Sequence, residues 1–159
     1  VREFKDNQDR TWQLQITIGS AKRVRDLLGV DILAPEQGEP PLLARLGTDE
    51  ILLCDVLYCL IKPQADEKGV SDEAFGEALG GEAITQAVEA LYAELVDFFR
   101  SRGRTDRAAA LQKQGKVIHL ATERITTEIS NLDIEAELDQ VFGKASIGSQ
   151  ESSESPLTA

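Results

Sequence analysis

The chain has 159 residues, 42% of them hydrophobic, which suits one domain with a buried core and disfavours multidomain or wholly disordered readings. Seventeen Lys and Arg stand against 28 Asp and Glu, a formal charge of −11 that disfavours general binding of nucleic acid or an anionic membrane. One His, two Cys and no Met leave little material for metal clusters, disulfide frameworks or acid–base relays.

In chain order, the opening reads as a β-hairpin over residues 1–18. A short strand around Phe4 and a polar turn, Asp6-Asn7-Gln8-Asp9, lead into strict alternation from Thr11 to Ile18. Trp12, Leu14, Ile16 and Ile18 share one face of that strand. Gly19-Ser20 stops the strand, and Ser20 is expected to cap a helix over Ala21 to Leu28 that ends at Gly29, with Val24, Leu27 and Leu28 inward. A loop rich in proline follows, from Pro35 to Pro41.

Thr48 is expected to cap the next helix, whose Ile51–Ile61 run is apolar or Tyr apart from Asp55, with Pro63 as its stop. A helix apolar on all sides belongs at the centre of a domain or in a subunit interface. Ser71-Asp72-Glu73 opens a short helix through Leu79, broken by Gly80-Gly81. From about Glu82 to Phe99, Ile84, Val88, Leu91, Leu95 and Phe98 recur at helical spacing, widened by Tyr92 and Phe99. After a turn at Ser101–Arg104, a more polar helix is expected to about Ser130, with a spine of Leu111, Ile118, Ala121, Ile125 and Ile129. A last helix is placed around Asp133 to Phe142. The expected fold class is therefore α+β, mainly α: an N-terminal β-hairpin packed on a bundle of five or six helices. It forms a single globular domain, 1–142 (hairpin 1–18, helical part 20–142), with a disordered Ser-rich tail over 143–159.

Charge is segregated along the chain. Residues 1–33 are net +1, 34–99 net −11, 100–130 net +4 and 131–159 net −5. The basic cluster Arg100, Arg102, Arg104 and Arg107 either answers the acidic middle within the chain or sets the register of self-association.

No catalytic, metal or cofactor-binding residues emerge. Asp55, an acid in an apolar helix, is either a perturbed or partner-contacting group or a helix edge that reaches water or a salt bridge. His119 and Glu123, four apart, would give two metal ligands where zinc needs three or four. Cys54 and Cys59 match neither a redox pair nor a zinc knuckle, and their apolar run suits reduced thiols in a core. Gly19-Ser20 beside Lys22 and Arg23 could hold a phosphate, but lacks the longer glycine signature of a nucleotide loop. No apolar run reaches the length of a membrane-spanning helix, and Val1–Asp6 has no signal-peptide core, so a cytoplasmic compartment is expected.

Three stretches together resemble phage tail assembly chaperones: Phe4 through Trp12 into Ile18; Val24-Arg25-Asp26-Leu27-Leu28-Gly29-Val30-Asp31-Ile32-Leu33; and Ser71-Asp72-Glu73-Ala74-Phe75-Gly76 with the helix ending Asp97-Phe98-Phe99. The similarity covers roughly the first hundred residues. The resemblance implies a non-enzymatic protein that coats apolar stretches of a long helical partner such as a tape-measure protein and leaves before the tail matures. Leu91, Leu95, Phe98 and Phe99 are the candidate contacts, and a homo-oligomer is expected because the hairpin edge and the all-apolar helix both need cover. The alternatives are an acidic DNA mimic that inhibits a nucleic-acid-binding enzyme, a structural subunit of a phage particle, or an enzyme with a dispersed site around Asp55.

Overall fold

A computed structural model describes residues 1–132 and 134–146, and the chain divides into two compact units, Val1–His119 and Leu120–Ala159. Strand β1 (Arg2–Lys5) pairs antiparallel with β2 (Thr11–Leu14). The helices are α1 (Ile18–Leu28), α2 (Leu42–Thr48), α3 (Glu50–Lys68), α4 (Asp72–Ala78), α5 (Glu82–Ser101), α6 (Thr105–Asn131) and α7 (Ile134–Ser146). The fold is α+β and mainly α, with the two-stranded hairpin at its start.

The first unit is organised around the hairpin. Its register sets Phe4 opposite Trp12, so both rings leave the sheet on one face and are buried. Phe75 of α4 packs edge-on to both, at 5.6 Å from Trp12 and 6.4 Å from Phe4 between ring centroids. The turn is held from inside by Asp6, whose carboxylate is buried and accepts four hydrogen bonds. They come from the amides of Gln8 (2.9 Å) and Arg10 (3.1 Å), Arg10 Nε (2.7 Å) and Trp12 Nε1 (2.8 Å). The turn is also fastened outward, because the Asn7 amide donates to Ala78 O at 2.9 Å at the end of α4.

The outer edge of β2 is covered from within the unit. Gln64 of α3 accepts from the Gln13 amide at 3.0 Å and donates to Gln13 O at 2.7 Å, as a neighbouring strand would. Three residues on, the Ile16 amide donates to the buried Glu94 of α5 at 3.1 Å. Arg2 of β1 meets Asp97 of α5 at 2.6 Å.

Several local boundaries differ from expectation, each for a visible reason. The strand stops at Leu14, because Thr17 and Ser20 form a capping box that starts α1 at Ile18. Ser20 is the third helical residue, and Thr17 is the cap. Leu27 is consequently 62% exposed, while Ala21 and Val24 face the core. The run after Pro41 forms α2, which buries Leu42, Leu43 and Leu46. Thr48 closes that helix, and Asp49 caps α3 by accepting the Leu52 amide at 3.0 Å.

Helix α3 does not stop at Pro63 but runs five residues further, to Lys68, and ends on Gly69 in the left-handed region. Proline has no N–H for the carbonyl one turn back, which is Cys59 O. Arg23 Nη1 of α1 donates to that oxygen at 3.0 Å and supplies the missing partner. The all-apolar character of this helix is answered by α1, α2 and α4, all of which pack on it.

In the second unit, α7 continues past Phe142 through Gly143 to Ser146, so the helix takes up the first four residues of the expected tail. The remainder of that stretch, 147–159, lies outside the described residues, as does Asp133.

Two measurements follow from these contacts. The hydrogen bonds from Trp12, Arg10 and Gln8 outweigh the effect of burial and hold the Asp6 carboxyl below its ordinary value. Its stabilisation is therefore present above the ordinary carboxylate range and lost as pH falls through the depressed folded value. Asp6→Asn should cost about 3 kcal/mol near neutral pH and flatten the loss of urea midpoint on acidification; an unchanged profile refutes the role. Arg23→Ala should cost about 1 kcal/mol in the parent and clearly less with Pro63→Ala, where residue 63 regains its N–H; additive costs would sever the link.

Candidate functional site

An open cleft of about 350 Å³ lies between α3, α4 and the start of α5. Ile51, Leu79 and Ile84 give it apolar walls, and Glu50, Asp55 and Asp72 bring carboxylates to it. Cys54 also lines the cleft and sits against the backbone of Gly76, where a β-carbon would lie 3.6 Å from its sulfur.

Asp55 is half-buried at the cleft edge. Burial first, then the charges of Asp72 and Asp49, raises its carboxyl above the ordinary value. The Cys54 thiol is pushed up to about 11 by burial and by Asp72 and Asp55, and Cys59 is raised chiefly by burial. A thiol held protonated is a poor nucleophile and a poor metal ligand. Among the described residues, no three His, Cys, Asp or Glu side chains are grouped to hold a metal ion. The His119 side chain, half of the candidate metal pair, lies outside those described.

The Gly19-Ser20 turn has its polar groups engaged locally. Ser20 N–H donates to Thr17 Oγ1, and the Ser20 hydroxyl lies 3.1 Å from the carbonyl oxygens of Gln15 and Thr17. Arg23 is turned toward Cys59 O, away from any anion site at the turn. The basic cluster is used in the same local way. Arg100 pairs with Asp97 at 3.6 Å, Arg104 with Asp106 at 3.2 Å and Arg107 with Glu36 at 2.6 Å, while Arg102 lies over the Phe98 ring at 5.0 Å. The Arg107–Glu36 pair is the internal complementarity that the charge segregation suggested.

The four candidate partner contacts are placed on the core side of α5. Leu91, Leu95 and Phe99 are buried, at 0%, 1% and 4% exposure, so no partner reaches them without unfolding the unit. Phe98 is half-buried, edge-on to Phe99 and beneath Arg102. Their wide stripe meets the hairpin on one side and α6 on another: α5 packs on both strands, and Ala108 and Leu111 of α6 belong to the same core.

Besides Val1, Ile18, Leu27, Ile51 and Val117 of the first unit, apolar side chains are exposed in groups in the second. Ile125, Ile129 and Leu132 at the end of α6 are 57%, 59% and 51% exposed, and Leu138, Val141 and Phe142 of α7 are 47%, 66% and 68% exposed. Spacings of three and four put each trio on one helical face. The sequence carried a signal for this. Leu111, Ile118, Ile125 and Leu132 recur every seven residues, with Ile129 four beyond Ile125, the spacing of a coiled-coil seam. The spacing predicts the spine, but spacing alone does not tell that Leu111 is buried while Ile125 and Ile129 are exposed. No described helix is long and apolar enough to cross a membrane.

With Cys59 replaced by Ala, alkylation of Cys54 should be slow at neutral pH, with a rate that rises through a midpoint near 11 and shifts down in Asp72→Asn. A midpoint at the ordinary thiol value would mean that the sulfur is freely solvated. Comparison of the chain with protein-family models, with curated proteins and with solved structures finds no match.

Proposed function

We propose that this protein is a non-enzymatic assembly chaperone of the phage-tail kind, which binds and solubilises a long helical, tape-measure-like partner in the host cytoplasm. The observation that carries the reading is the pair of exposed apolar faces on the end of α6 and on α7. Faces with this spacing suit helix-in-groove or helix-on-helix recognition of an amphipathic partner. A net charge of −11 supports the same reading, because it keeps a complex with an apolar client dispersed.

Magnitudes favour a transient role. Six side chains that are already part-covered would contribute on the order of 6–9 kcal/mol gross on burial, against association costs of about 4–15 kcal/mol. One copy therefore binds weakly and leaves readily, and a long partner is held by many copies along its length. The two features that called for a second subunit, the β2 edge and the apolar α3, are covered by Gln64 and by neighbouring helices. Homo-oligomerisation in this reading is alignment of copies along the client.

The test is light scattering of a long, amphipathic helical segment that precipitates alone, diluted into the protein at moderate salt. Scattering should be suppressed, and the double variant Ile129→Ser with Phe142→Ser should lose most of that suppression while its unfolding temperature stays within a few degrees. Suppression that survives the double variant, or is absent in the parent protein, overturns the reading.

A further inference from the structure

We infer that the helix accepted by the second unit is basic along the borders of its apolar stripe, and that it belongs to another protein rather than to a second copy of this chain. The inference rests on the proposed chaperone reading and names the chemistry of its partner. It follows from the charges that border the exposed apolar residues.

At roughly 100° per residue, Leu138, Val141 and Phe142 form a stripe on α7 with Glu137 just outside one edge and Asp139 just outside the other. On α6, Glu128 precedes Ile129 and borders the trio Ile125, Ile129 and Leu132. Glu128, Glu137 and Asp139 are all exposed. Over residues 120–146 the sequence holds six acidic and two basic side chains, net −4. A partner seated on the α7 stripe must lie between carboxylates, and on the α6 trio it meets one at the Glu128 border.

That arrangement selects against self-pairing. Two copies meeting through these faces would bring like-charged borders together, with −11 on each whole chain behind them. Among the described helices, α1 sets Lys22 and Arg25 beside Ile18 alone, Arg100, Arg104 and Arg107 are paired with Asp97, Asp106 and Glu36, and the exposed Lys113, Lys116 and Arg124 of α6 have Val117 as the one exposed apolar side chain described among them, which is not a stripe. A helix with an apolar stripe at three-and-four spacing and Lys or Arg on both borders is complementary in shape and in charge.

Two synthetic helical peptides test this against the full chain. Both carry the same leucine stripe; one has Lys at the bordering positions and the other Glu. Binding is read by fluorescence anisotropy at about 0.05 and about 0.5 M NaCl, where screening lengths are roughly 13 and 4 Å. The Lys-bordered peptide should bind at least tenfold tighter at low salt, and the gap should narrow severalfold at high salt. The variant Glu128→Gln, Glu137→Gln, Asp139→Asn should narrow it similarly, whereas Glu67→Gln, Glu73→Gln, Glu89→Gln, which removes three exposed acids of the first unit, should leave it intact. Equal narrowing by the two variants would reduce the effect to net charge and overturn the inference. Equal binding of both peptides would overturn the inference but leave the chaperone reading, and binding of neither would overturn both. A concentration-dependent dimer that Ile129→Ser abolishes would make the second copy the occupant and also overturn it.

Discussion

The Asp6 carboxylate is the contact on which the first unit depends. It draws two backbone amides, a guanidinium and the Trp12 indole N–H into one buried point, and so closes the hairpin turn while fixing the orientation of the largest ring in the core. Phe75 then packs edge-on to Trp12 and to Phe4. A two-stranded ribbon is marginal by itself in water. Here it is stable because one charge organises the turn from inside and two helices hold its edges from outside, through Gln64 and Arg2–Asp97.

The same economy recurs at Pro63, where a helix interior tolerates proline because Arg23 of another helix reaches the stranded carbonyl. In both places a side chain distant in sequence or unexpectedly buried meets a need created by local chemistry. The cleft beside α3 is different in kind. There burial and neighbouring acids raise the Asp55 carboxyl and the Cys54 thiol above their ordinary values.

Much of the fold was legible in the residues. The hairpin and its polar turn, the amphipathic α5, Gly29 as a helix end and the short α4 after Ser71 all followed from spacing and capping chemistry. Positions decided by which neighbour a group meets were not legible. Asp6 reads as an ordinary turn residue, and only the packed hairpin brings Trp12 Nε1 to it. Pro63 reads as a stop, and only Arg23 makes it an interior residue. Leu91, Leu95 and Phe99 read equally well as contact surface or core, because helical periodicity marks an apolar face without naming what covers it.

The sequence by itself determined the class of fold, the order of its elements apart from α2, and the segregated charge, since these depend on composition and on near neighbours along the chain. The tertiary structure decided which apolar faces are satisfied. It covered most of the stripe of α5 and of the run of α3 and left the end of α6 and α7 bare, because burial depends on contacts between residues far apart in sequence, which periodicity does not encode.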